Sequence, residues 1–353
     1  MNFSFKSMIR ISMIIFWSGV ICLFLMVPRI FDLMSKKSTI SVLTWPNIID
    51  INRLKAFERE MGVRVYVNYF DSNEELLTKL RVAKEQYDLI IPSDFMVEQL
   101  THLGLLKELD FEFSRSVLAH IEPQLLNNYF DPGNKYSIPC MWDIYGIAIN
   151  KKYFDNRTPK PDWELIFDAK KTPKHVVMTN DPRELILVSS MYLFGSIYNL
   201  TEKKLVEIEN LLLQQKKWVE AYTDLRADYL LASGASPVAL LPLSYVLRSL
   251  GHYQNIDFLL PSKTFMLIDS FVIPKSSRNE KLTYDLIRFL LREEETIHNT
   301  TIHGFLPPQK NLLAKLDLPF LRGAKIPWHS LDFFKNVILP GRIMQIWRTL
   351  KAA

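Results

Sequence analysis

"FDPGNKYSIPCMWDIYGIAIN", Phe130 to Asn150, decides how the rest of the chain is organised. Asp131-Pro132-Gly133 is turn chemistry, with Pro suited to the second turn position and Gly supplying a positive φ. The residues from Tyr136 to Asn150 then form one long extended segment, read here as a crossing between two lobes. A second such segment, "TFMLIDSFVIP" (Thr264–Pro274), supplies a second crossing.

Before the first crossing, strand and helix alternate. "TISVLT" (Thr39–Thr44) is β-rich and stops at Trp45-Pro46; Ile51, Leu54 and Phe57 then recur at helical spacing, with Gly62 as the stop. Val63–Phe70 alternates like a strand. "SNEELLTKLRVAKEQ" is a capped helix, "YDLIIPS" a short apolar strand and "DFMVEQLTHLG" a helix ending at Gly104. This is βαβ logic, with parallel strands buried on both faces. Between the crossings come "HVVMT" and "VALLPL" as strands and "RELILVSSMYLFG", "EKKLVEIENLLLQQKKW" and "SYVLRSLG" as helices. After them, "NEKLTYDLIRFLLREEETIHNT" is predicted to be one long amphipathic helix whose "REEE" is a solvated face. The expected fold is α/β, two lobes joined by crossing strands, with a ligand cleft between them.

Composition agrees with an ordinary globular chain. The 353 residues are 48% hydrophobic and 23% charged, which suggests about two domains. The formal charge of +5 is small, and basic residues are scattered apart from pairs such as Lys36-Lys37 and Lys170-Lys171, so no nucleic-acid stripe forms. Lys6 and Arg10 precede an uncharged run from Ile11 to Pro28, closed by Arg29. That pattern makes residues 1–30 a signal peptide or signal-anchor, and either way the bulk of the chain is exported. Of two cysteines, Cys22 lies in that run, which leaves Cys140 without a disulfide partner. The histidines are dispersed, only 11 glycines occur, and there is no nucleophile elbow or phosphate loop. Neither catalysis nor a metal or cofactor is expected.

"MTNDPRELIL" (Met178–Leu187) places two carboxylates three residues apart. Local chemistry reads Asp181 as a helix N-cap, with Pro182 at the first helical position and Glu184 two further on. The alternative is a site that grips a cation.

Five stretches in this order, "FDSNEELLTKL", "YDLIIPSDFMVEQLTHLGLLKELD", "NNYFDPGNKYSIPCMWDIYGIAIN", "MTNDPRELIL" and "MLIDSFVIPKS…LIRFLL", resemble the periplasmic spermidine/putrescine-binding protein family. These are solute receptors of polyamine ABC transporters. The resemblance runs from about Thr39 to Leu312. It implies the type II periplasmic-binding fold, with one lobe from residues 39–142 and 266–311 and the other from 143–265 and 312–353. It also implies capture of putrescine- or spermidine-like cations for an ABC permease, outside the cytoplasm and held at the inner membrane if the N-terminal run is retained.

A polyamine needs a carboxylate for each ammonium, at about 1.5–3 kcal/mol per charge-assisted hydrogen bond, and aromatic walls for its methylenes. Carried over by position, the family's carboxylates fall on Asp181, Glu184 and Asp269, its first tryptophan on Trp45 and a small hydroxyl on Ser93. Elsewhere the chain departs from the pattern. A carboxylate becomes Asn47, one tyrosine becomes Phe95 and another Phe305. Two sandwiching tryptophans fall, without gaps, on Leu241 and Leu267. Asp143 is a further carboxylate beside the crossing, with a solvated hinge residue as its plain reading. A different small solute in the same fold is the alternative function.

Overall fold

The computed structural model describes residues 38–82, 86–171, 175–224, 226–249, 252–316 and 326–353, with Met13 and residues 16–19. Most of the expected signal or anchor, Cys22 and the Lys36-Lys37 pair lie outside the described residues. Among the described residues no helix is long and apolar enough to cross a membrane.

The strands are β1 (Thr39–Thr44), β2 (Arg64–Tyr69), β3 (Leu89–Ile91), β4 (Ser137–Asn150), β5 (Val176–Met178), β6 (Val219–Tyr222), β7 (Val238–Pro242), β8 (Ile256–Leu259), β9 (Thr264–Val272) and β10 (Leu331–Phe333). They form one path, β2-β1-β3-β9-β4-β7-β5-β6, with β10 added beside β9 and β8 beside β4. β1 runs parallel to β2 and β3, and β5 parallel to β6 and β7; β4 and β9 are antiparallel to each other.

β4 explains the architecture. Its first half pairs with β9, from Ser137 opposite Val272 to Ile144 opposite Met266. Its second half pairs with β7 and β8, from Tyr145 opposite Pro242 to Asn150 opposite Ile256. One strand therefore belongs to both halves, as expected of the long extended segment, and it is buried throughout. Successive side chains alternate between faces. Trp142, Ile144 and Ala148 join one core with Ile268 and Leu241, and Tyr145, Ile147 and Ile149 join the other with Leu240 and Phe265. Gly146 is required where β8 crosses, because a Cβ there would lie 2.4 Å from the Phe258 ring and 2.6 Å from the Leu259 carbonyl oxygen.

The turn before β4 is held by Asp131, which is 2% exposed. Its carboxylate accepts from the backbone N–H of Lys135, Tyr136 and Ser137 at 3.0, 3.0 and 2.8 Å and from the Ser137 hydroxyl at 2.6 Å. Cys140 is free and buried.

The predicted long C-terminal helix is two, Glu280–Leu290 and Glu293–His303, separated by Leu291 and Arg292, with Arg292 extended. Three glutamates in the first turn favour a new helix start there. Glu295 is not on a solvated face: it is 1% exposed and bound by the Arg53 guanidinium through both oxygens. The segment after residue 325 runs along the crossing strands. Trp328 lies 4.8 Å from Trp142, Phe333 5.3 Å from Tyr129, and Phe334 is stacked 4.3 Å from Phe265. The final helix, Pro340–Ala352, buries Ile343, Ile346 and Leu350 in the core that holds Ile186 and Ile208.

Candidate functional site

β5 and β6 are parallel neighbours, with Met178 opposite Tyr222, so the residues that follow both strands emerge side by side. The helix Pro182–Phe194 begins there. Asp181 caps it, accepting from Arg183 N at 2.7 Å and Glu184 N at 3.1 Å. The local reading of Asp181 is thus realised. Glu184 is not tied back to the cap: Tyr145 donates to its Oε1 at 2.6 Å and Thr179 to its Oε2 at 2.7 Å. Asp224, two residues past β6, accepts from Asn180 N at 3.4 Å and lies within reach of the Thr179 hydroxyl.

These three carboxylates share one corner. Burial, and then the charges of Asp181 and Asp224, hold the Glu184 carboxyl well above the usual range. Burial likewise raises Asp224 to about 6, with Asp181 adding to it. Tyr145 and Tyr245 both feel Glu184 and Asp224, and burial leads in raising each phenol. No described lysine or arginine forms an ion pair with any of the three acids. Nor does any described group of three or more His, Cys, Asp or Glu side chains have the arrangement of a metal shell.

A second acidic group lies on the crossing strands. Ser93 stands at the N-cap of helix Asp94–His102 but makes no side-chain cap bond; its hydroxyl pairs with Asp269 instead. Asp269 is 4% exposed and its Oδ1 has no hydrogen-bond partner among the described residues. Asp94 is satisfied, accepting from Ile268 N at 3.1 Å, the Tyr129 hydroxyl at 3.1 Å and Phe95 N at 2.6 Å. Asp143 is fully buried, which corrects its reading as a solvated hinge residue. It accepts from Ile144 N at 2.8 Å and Ser244 N at 3.2 Å, and so pins the start of helix Leu243–Ser249 to β4. Burial pushes Asp143 and Asp269 to about 7 and Asp94 to about 6. Met141 faces Asp269 and Asp143 faces Leu267 across the strand pair. Paired residues share a face, so Asp269, Asp143 and Tyr145 all lie on one side of the crossing.

The remaining predicted residues separate. Phe95 is buried beside Asp94, and the Arg183 guanidinium from the opposite half lies 3.7 Å over its ring. Such a cation–π contact is worth about 0.5–2 kcal/mol. Gly304 closes a second contact between the halves: a Cβ there would sit 2.3 Å from the Ser244 carbonyl oxygen. Trp45 is half-buried, 4.4 Å from Phe70, with an unpartnered Nε1. Asn47 is exposed, in a left-handed conformation at φ 60°. Leu267 is half-buried beside Asp143. Leu241 is fully buried and lies on the opposite strand face from Tyr145. Phe305 lines a separate cavity of about 30 Å³ with Cys140 and Met141.

Asp224, Tyr145, Tyr245 and Asp94 were missed from sequence. The available signal for Asp224 was its place at the carboxyl end of a strand, where open α/β sheets bind ligands.

Residues 52–319 match the family described as bacterial extracellular solute-binding protein. A putrescine/cadaverine-binding protein of Pseudomonas aeruginosa is 31% identical over 261 residues, covering 70% of this chain and 73% of that one. A spermidine/putrescine-binding periplasmic protein of Escherichia coli is 26% identical over 307 residues, 85% of each. The spermidine/putrescine transporter substrate-binding protein of Streptococcus pneumoniae superposes with a TM-score of 0.78 over 90% of this chain and 99% of that one, at 23% identity. That structural likeness establishes the two-lobed type II binding-protein architecture.

Proposed function

We propose, from the premise that this chain belongs to the bacterial extracellular solute-binding proteins, that it captures small polyamines and delivers them to an ABC permease. As a member of that family it binds a solute outside the cytoplasm and is not an enzyme. The polyamine assignment rests on one observation: acidic groups at two places along the interlobe region have no ion-pair partner among the described residues. Asp181, Glu184 and Asp224 form one, and Asp269, with its free Oδ1, forms the other. An unpaired buried carboxylate is costly, and a ligand ammonium would relieve it. The names of the relatives, which bind putrescine, cadaverine or spermidine, support the same reading.

Calorimetric titration of residues 38–353 with putrescine and with spermidine tests this. Saturable binding that collapses in Asp181→Asn and Asp269→Asn is expected; no heat and no thermal shift at millimolar amine would refute it. A different solute in the same fold is favoured by one observation, the Arg183 guanidinium seated over Phe95. On that reading, solute binding survives neutralisation of Asp269.

The N-terminal apolar run would tether the protein to the membrane. Carbonate washing should leave the full chain in the membrane fraction, and its release by that wash would contradict the tether.

A further inference from the structure

We propose that Lys335 is a positioning residue for solute capture: gripped by Tyr198 of its own half and Tyr129 of the other, its ammonium holds the two lobes together. The inference rests on the two-lobed binding architecture and on no particular solute. The C-terminal segment belongs to the half built on β5, β6 and β7, since Phe334 stacks on Phe265 and the final helix packs with Ile186 and Ile208. Two tight turns fix the lysine in that segment: Lys335 N donates to Phe333 O at 2.8 Å, and Val337 N to Lys335 O at 2.9 Å. Tyr198 then aims the side chain. Lys335 Nζ donates to the Tyr198 hydroxyl at 2.6 Å, and that hydroxyl donates to Asp332 Oδ1 at 3.2 Å. The same Nζ lies 5.1 Å from the centre of the Tyr198 ring and 4.7 Å from that of Tyr129.

Tyr129 belongs to the other half. Its hydroxyl donates to Asp94 Oδ1 at 3.1 Å, at the start of the helix that follows β3. Asp94 also accepts from Phe95 N, and Phe95 receives two more contacts from across the boundary. The Arg183 guanidinium lies over its ring at 3.7 Å, and the Asn336 side-chain amide donates to its carbonyl oxygen at 3.5 Å. One buried carboxylate therefore fixes both rings that the opposite half grips. Phe333 adds an apolar contact 5.3 Å from Tyr129. No described carboxylate forms an ion pair with Lys335, so its ammonium is held by the two rings and a phenol oxygen. It keeps both rings only while the halves stay together. Contacts made in one arrangement alone bias the equilibrium toward it, and opening forfeits a cation–π contact.

The test measures lobe separation without solute, so its result is independent of the amine reading. Spin labels are placed on the full chain through Glu112→Cys in one lobe and Lys203→Cys in the other, both exposed, in a Cys22→Ser background that leaves the buried Cys140 in place. Pulsed electron resonance then compares the wild-type Lys335 with Lys335→Met and Lys335→Arg, and thermal melts verify that each variant folds. Methionine keeps the length of the side chain and loses the charge, so the closed-to-open ratio should fall about two- to thirtyfold. Arginine, which also stacks on tyrosine, should retain the wild-type ratio. In a Tyr129→Leu background, Lys335→Met should add no further opening, because the ring it would release is already gone. A solute that needs the closed arrangement binds more weakly in proportion to the lost closed fraction. An unchanged ratio in Lys335→Met, a shift that arginine does not rescue, or a full shift without the Tyr129 ring would overturn the assignment.

Discussion

Replacing Asp269 with asparagine should stabilise the empty protein while abolishing amine capture. Asp269 is 4% exposed; among the described residues it pairs only with Ser93 and leaves Oδ1 unpartnered. Burial first, then Asp94 and Asp143, push its carboxyl from 3.8 to about 7. The sign follows from linkage. A carboxyl raised on folding has its stability contribution intact below the unfolded value and loses it as pH rises through the folded one. Each pH unit between those values is worth about 1.4 kcal/mol, so ionised Asp269 costs the empty fold about 4 kcal/mol at pH 8. Asparagine can still accept from Ser93 and carries no charge. Urea unfolding of wild type and Asp269→Asn between pH 4 and pH 8.5 should show a gap near zero at the acid end. The gap should grow in favour of the variant through pH 7. Saturating putrescine should close it for wild type alone, because the ligand supplies the missing cation. A variant less stable than wild type at pH 8, or a gap that does not change with pH, would refute the reasoning.

Gly304 ends its helix at φ 79°, and a Cβ there would press on the Ser244 carbonyl oxygen of the other half at 2.3 Å. Gly304→Ala should therefore hold the lobes apart, enlarging the radius of gyration in X-ray scattering and weakening amine binding, while the left-handed conformation separately costs the fold about 1–2 kcal/mol. Unchanged scattering and affinity would contradict that. Asp131→Ala removes four hydrogen bonds at the entry to β4. It should destabilise the fold by about 3 kcal/mol or more in denaturant melts, since buried backbone donors are left unpaired; a loss under 1 kcal/mol would show that water replaces the carboxylate.

How much could be read from the sequence depended on how local the signal was. β4 and β9 were legible because long extended segments, the first preceded by a Pro-Gly turn, are written in consecutive residues. Asp181 and Glu184 were visible for the same reason, as an interruption in one helix start. The nearness of Asp224 to them was not, because only the pairing of β6 with β5 brings it there. The break at Arg292 was hidden by a continuous helical pattern and accompanies burial of Glu295 against Arg53, 242 residues away. Leu241 pairs with Gly146 and so lies on the other strand face from Tyr145, an alternation that matching by position does not register. β10 was missed because it is a three-residue strand on a segment held by aromatic contacts.

The most direct measurement of the central claim is a crystal structure of the protein grown with putrescine. The account predicts one terminal nitrogen within about 3 Å of carboxylate oxygens of Asp181, Glu184 or Asp224, and the other within about 3 Å of Asp269. An amine seated elsewhere, or a cleft without amine at saturating concentration, would contradict it.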